Sequence, residues 1–156
     1  MDGLLLSVLA LLRGTTGLAL QPVPQAQEGE SMTEDTDWDE LRALAQQVLE
    51  RGAALELTDA TCVLLRRTAQ QVAISRADAE EALRSLSTAA ALLGEIRRRI
   101  RNGSTRLSDA LHRAYRLRDS GDLAGARRLM EDLLEIEIVP LYGEQAEILL
   151  EELAQF

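Results

Sequence analysis

From Asp37 onward the chain repeats one local grammar: a short polar residue, then apolar side chains recurring every three or four positions, then a glycine or another capping residue. Ser, Thr and Asp can satisfy the open N–H groups of a first helical turn, and Gly can take the left-handed conformation that closes a last one. A chain punctuated this way has room for helices and almost none for paired strands. The fold it predicts is all-α: a compact bundle of about six to seven helices.

The expected elements follow in order. Asp37 stands three residues before Glu40, a capping-box spacing, and Leu41, Leu44, Ala45, Val48 and Leu49 supply the stripe of a first helix ending at Gly52. Thr58 opens a second helix through Leu65, Ala69 and Val72. Ser75 opens a third, with Asp78 in the capping position and Ala79, Ala82, Leu83 and Leu86 on one face. A fourth is expected to open at Ser87, carry Ala89, Leu93, Ile96 and Ile100 inward, and end at Asn102 and Gly103. Leu107, Leu111 and Ala114 mark a fifth, stopped by Gly121. Asp122 caps a sixth with Ala126, Met130, Leu133 and Leu134, and Pro140 fits the first turn of a seventh built on Tyr142, Ala146, Leu149 and Leu153. The β-like run at residues 136–139 has no partner strand and is not expected to persist as one.

Residues 1–31 differ in kind. An apolar run at residues 4–12 gives way to Arg13, Gly and Thr, then to Pro22, Pro24 and Gln. The run is too short to span a bilayer but meets the minimum for a signal-peptide core. Asp2 stands where a positive flank is expected, and no clean small-x-small cleavage site follows. Glu28, Gly29 and Glu30 require purine-rich codons just upstream of Met32, as a bacterial ribosome-binding site would. Three readings stay open: translation from Met32, which is favoured, a signal or membrane-associated segment, or a genuine tail. The expected division is an extension over residues 1–31 and one domain over residues 32–156.

Composition narrows the function. Trp38, Tyr115, Tyr142 and Phe156 are the only aromatics, so Leu, Ala, Ile and Val must fill the core. All 17 basic residues are Arg, which GC-rich coding explains without phosphate chemistry. A net charge of −9 opposes generic binding to nucleic acid or an anionic membrane. Cys62 is the single cysteine, which rules out an intrachain disulfide and a multi-thiolate zinc site and fits a reducing compartment. Its helical spacing from Leu65, Ala69 and Val72 favours a small buried residue over a nucleophile.

Several segments together resemble the DUSAM domain family. They are Asp37-Trp38-Asp39, Val72-Ala73-Ile74-Ser75 followed by Asp78-Ala79-Glu80, Glu95-Ile96, and Tyr115-Arg116-Leu117-Arg118-Asp119 leading to Gly121-Asp122 and Gly125-Ala126-Arg127. Each is a common helix signal, and their order and spacing carry the match, over about residues 33–153. The resemblance implies a paralogous domain of GC-rich fruiting bacteria with an uncharacterised biochemical role, so no functional residue carries over.

Residues 69–83 have the outline of a helix-turn-helix, with Ala69, Ala73-Ile74-Ser75 at the turn, and Ala79 and Leu83 beyond it. The second helix, however, offers Asp78, Glu80 and Glu81 where phosphates and base edges need Arg, Lys, Asn or Gln. A packing corner is the favoured reading. Residues 115–130 resemble one hairpin of a tetratricopeptide unit, with Ala114, Gly121-Asp122 and Ala126 permitting close approach. The unit does not recur at its 34-residue period, so a lone αα-hairpin is expected.

The sharpest charge feature lies between. Arg97, Arg98, Arg99, Arg101, Arg106, Arg113, Arg116 and Arg118 face only Glu95 and Asp109 within residues 95–118. Arg97, Arg98 and Arg101 are expected on one face near a helix C-terminus, where cations meet the macrodipole favourably. After Leu129 the chain has eight carboxylates and no Arg, so the basic and acidic helices are expected to pair within the fold or between copies. No aromatic platform for stacked bases accompanies the central arginines.

His112, one step off the apolar stripe and next to Arg113, reads as a solvated side chain. Glu144, Glu147 and Glu151 follow one helix face and read the same way. Phosphate loops, nucleophile elbows and His-Glu-x-x-His motifs are absent from the sequence. No catalytic, cofactor or metal site is expected, and no small-molecule ligand is implied. The expected function is a non-enzymatic, cytoplasmic helical module that binds a protein partner or another copy of itself, with Arg97, Arg98, Arg101, Arg113 and Arg116 as its surface. The alternatives are a nucleic-acid-binding regulator using residues 97–118 and an exported helical protein.

Overall fold

The computed structural model describes residues 38–156, so the Asp37 cap and the expectations for residues 1–31 and for Met32 lie outside the described residues. Six helices occur among the described residues. They are α1 (Asp39–Ala45), which continues into a π-helical turn (Gln46–Glu50), α2 (Asp59–Gln71), α3 (Arg76–Ala82), α4 (Leu86–Asp119), α5 (Leu123–Ile136) and α6 (Pro140–Leu153). No strand occurs among the described residues, and residues 137–139 are an irregular connection.

The caps work through local chemistry. Thr58 accepts from the backbone N–H of Thr61 at 3.2 Å, Ser75 from that of Asp78 at 3.1 Å, and Asp122 from that of Gly125 at 2.8 Å. Pro140 occupies the first turn of α6. At the end of α4, Gly121 takes φ +89°, while its N–H donates to the Arg118 carbonyl and that of Asp122 to the Leu117 carbonyl, a Schellman closure. The end of α2 is closed the same way with a non-glycine residue: Ala73 holds φ +62°, and Ile74 N–H donates to the Ala69 carbonyl.

Three expectations are corrected. The fourth helix opens two residues earlier than Ser87: Ser85 is the cap, accepting from Thr88 N–H at 3.2 Å. Leu86, expected to face inward with α3, is exposed, because it is the first residue of α4 and the burial register of that helix begins at Ala89. Most consequentially, no break occurs at Asn102 and Gly103, and α4 runs unbroken for 34 residues. A mid-helix Gly costs about 1 kcal/mol relative to Ala, so Gly103 reads locally as a stop. It is buried instead, and a Cβ there would lie 2.5 Å from Cδ2 of Tyr142. Its missing side chain is the seat for the Tyr142 ring, which merges two expected helices into one.

Helix α4 is the spine and touches each of the other five. Its inward face, which includes Leu93, Ile96, Ile100, Gly103, Leu107, Leu111 and Ala114, is buried. Around it pack Leu41, Leu65, Val72, Met130, Leu149 and Leu153, an aliphatic core as the composition requires. The aromatic exception is a pair. Trp38 and Tyr142 meet edge to face at 5.9 Å, Trp38 Nε1 donates to Gln71 Oε1 at 2.8 Å, and Tyr142 OH donates to the Ile100 carbonyl at 3.1 Å. Helices α4 and α5 form the expected αα-hairpin, with Ala114 and Ala126 both buried.

Candidate functional site

Whether the central arginines form a surface depends on the continuity of α4. At 100° per residue along one unbroken helix, Arg98, Arg101, Asn102, Thr105, Asp109, His112, Arg113 and Arg116 fall on one side, and all are exposed. This row lies opposite Leu93, Ile100, Leu107 and Leu111. From Arg98 to Arg116 it is about 27 Å long.

The arginines divide by what they bind. Arg97 points off the row and pairs with Glu50, tying the end of the π-helical turn to α4. Arg98 forks onto Glu95 with bonds of 2.8 and 2.7 Å, and Arg99 reaches the same carboxylate at 2.8 Å. Hydrogen bonds from these two guanidinium groups, with their charge, hold Glu95 down to about 2. Arg99 also donates to the carbonyls of Val72 and Ala73, at 3.0 and 3.1 Å, and so braces the strained end of α2. Arg106 meets Glu137 at 3.3 Å. That carboxylate has no exposed side-chain surface and also accepts from Val139 N–H at 3.0 Å, fixing the connection between α5 and α6. Arg118 pairs with Asp119 at 3.0 Å and lies 4.8 Å over the Tyr115 ring.

Arg101, Arg113 and Arg116 remain. Each is exposed on the row, and none has a side-chain partner among the described residues. Of the five arginines expected to form a surface, the structure thus places Arg98, Arg101, Arg113 and Arg116 on one face and takes Arg97 out of it. The expected grouping of Arg97, Arg98 and Arg101 near a helix C-terminus is corrected as well. All three are mid-helix, more than a full turn from Asp119, where the macrodipole has no free end to offer. Thr105 and Asp109 were not anticipated as members of the face. Helical periodicity reveals them only once Gly103 is known not to end the helix.

The acidic end exposes carboxylates on two helices. On α6, Glu144, Glu147 and Glu151 are exposed opposite the buried Tyr142, Ala146, Leu149 and Leu153, and on α5 Glu131, Asp132 and Glu135 are exposed. Pairing of the basic centre with this acidic end within the described residues is confined to Arg106 with Glu137.

Other candidate chemistry does not assemble. Among the described residues no group of three or more His, Cys, Asp or Glu is placed to hold a metal ion. Cys62 is half-buried rather than a core residue, and His112 is exposed. The helix-turn-helix outline corresponds to α2 and the two-turn α3, joined by Ala73. Arg66 of α2 meets Glu80 of α3 at 2.7 Å, while Asp78 and Glu81 are exposed on α3. No helix of the described residues is long and apolar enough to cross a membrane.

A family model described as "Protein of unknown function (DUF2379)" matches residues 36–153, a span that contains all six helices. The chain belongs to this family. No curated protein and no solved structure matches it. The DUF2379 match starts next to the first described helix and ends at the last residue of α6, so the spine, the basic row and the acidic face are all inside the family's domain.

Proposed function

We propose that this DUF2379 domain is a non-enzymatic protein-interaction module whose binding surface is the outer face of α4. One observation carries the reading. Arg101, Arg113 and Arg116 stand exposed and unpaired among the described residues on one rigid helix, whereas Arg97, Arg99 and Arg106 are engaged in holding the fold. Exposed guanidinium groups on a rigid element are suited to bidentate recognition of carboxylates, and a charged row steers association and sets register. Asp109 within the row and the net charge of −9 weigh against a nucleic acid, whose phosphates carry a dense and uniform negative charge. The single cysteine supports a cytoplasmic setting, and the motif order noted above supports equating this domain with the bacterial DUSAM family.

A photoreactive amino acid at Thr105, in the middle of the row and exposed, tests the reading in the native host. The expected result is a discrete protein adduct that disappears when Arg113→Glu and Arg116→Glu are introduced together. Adducts to nucleic acid alone would support the regulator alternative, and the absence of any protein adduct would overturn the proposal.

A further inference from the structure

We infer that the partner of the α4 face is a second copy of this chain, which docks the acidic outer face of its α6 on the arginine row in a heterologous contact. The inference rests on the reading of α4 as a protein-binding face and names what binds there. The chain carries its own complement: after Leu129 it has eight carboxylates and no Arg, and six of these, Glu131, Asp132, Glu135, Glu144, Glu147 and Glu151, are exposed. The spacings also agree. Arg98 and Arg101, and likewise Arg113 and Arg116, are three residues apart on α4, as are Glu144 and Glu147 on α6, so paired helices can align charges one turn at a time.

Geometry determines the kind of contact. Tyr142 of α6 seats against Gly103, on the inward side of α4, while the arginine row occupies the outward side. The glutamates of α6 lie opposite Tyr142 on their own helix. The two charged faces therefore point to opposite sides of the α4 and α6 layer, and one chain cannot satisfy its own row. A two-fold dimer needs one self-complementary patch, whereas faces on opposite sides join head to tail. Net repulsion between chains of charge −9 makes the salt response diagnostic. Association driven only by relief of that repulsion strengthens with salt, whereas contact between complementary faces weakens with it.

Sedimentation velocity of the full chain provides the test, with two charge-reversed variants: Arg113→Glu with Arg116→Glu, and Glu144→Arg with Glu147→Arg. All four positions are exposed, and none of them has a side-chain partner among the described residues. Unchanged circular dichroism, and an unfolding midpoint equal to that of the wild type at about 1 M salt where the wild type is dissociated, establish that the variants fold, and Arg113→Gln with Arg116→Gln provides a milder pair if reversal disturbs folding. The wild type should assemble at about 0.1 M salt and dissociate by about 1 M, where the Debye length falls to about 3 Å. Each reversed variant should be monomeric, the glutamine pair should assemble at least tenfold more weakly than the wild type, and an equimolar mixture of the two reversals should assemble again. The mixture recovers because the unaltered arginine row of the α6 variant meets the unaltered acidic α6 of the α4 variant, and the acidic α4 of the latter meets the basic α6 of the former. A monomeric wild type at about 0.1 M, variants that assemble like wild type, or a mixture that stays monomeric would each overturn the inference. If the wild type is monomeric while Thr105 cross-links a different protein, the self-recognition fails and the interaction reading stands. If Thr105 captures no protein, the broader reading fails.

Discussion

Replacing Gly103 with Ala sets helix propensity directly against packing. In an exposed helix this change gains about 1 kcal/mol. Here the new Cβ would lie 2.5 Å from Cδ2 and 2.7 Å from Cε2 of Tyr142, and 3.1 Å from a carboxylate oxygen of Glu137. The ring cannot step aside freely, since Trp38 packs against it edge to face and its hydroxyl is bonded to the Ile100 carbonyl. Forcing extra volume into a fixed site costs about 1–3 kcal/mol, and losing the hydroxyl's bond adds about 1. The net expectation is a loss of about 1–3 kcal/mol, or a fall in Tm of about 4–12 °C for a domain of this size. Gly94 is the control on the same helix. A Cβ there meets nothing within 4 Å, so Gly94→Ala should stabilise by up to about 1 kcal/mol. Urea unfolding followed by fluorescence of Trp38, the only tryptophan and a buried one, measures both. If Gly103→Ala stabilises as Gly94→Ala does, the seat for Tyr142 is not what keeps a glycine in α4.

Ala73→Gly should stabilise the domain by about 0.5–1 kcal/mol, because relief of the left-handed conformation of an exposed Ala outweighs the added freedom of Gly in the unfolded chain; an unchanged or lower urea midpoint would refute it. Glu95 is held at about 2 against an ordinary 4.5, so the unfolded chain takes up its proton first as pH falls. Its contribution is present above pH 4.5 and lost as pH falls toward 2. With a third of the side chain exposed, screening keeps that contribution under about 1 kcal/mol, and the stability gap between wild type and Glu95→Gln should close across that window. Tyr142 is pushed the other way, up to about 12 chiefly by burial, so its contribution is complete below pH 10 and is lost as pH rises toward 12. The advantage of wild type over Tyr142→Phe, measured by urea unfolding, should shrink over that range, and a constant advantage would contradict the assignment.

What the sequence discloses and what it hides divide by distance along the chain. Thr58, Ser75, Asp122, Pro140 and Gly121 are legible because each cap acts within a turn of itself. Gly103 is misleading because the reason for it, Tyr142, is 39 positions away, and the propensity penalty visible locally is offset only by tertiary packing. The same error hides the site. With a helix break at Gly103 the arginines are an excess of charge, and only an unbroken α4 makes them a face. Arg97 is a comparable case, since its partner Glu50 lies across the fold and no local pattern separates it from Arg98 or Arg101. Ser87 is the cap the sequence suggests, and the helix opens at Ser85 instead, whose hydroxyl accepts from Thr88 N–H.

The central claim is that the outer face of α4 recognises the acidic face of another copy, and the equimolar mixture of the two charge-reversed variants tests it most directly. At about 0.1 M salt, where the Debye length is about 10 Å, the mixture should sediment as an assembly while each variant alone sediments as a monomer. A mixture that sediments as monomers, beside a wild type that assembles, would contradict it.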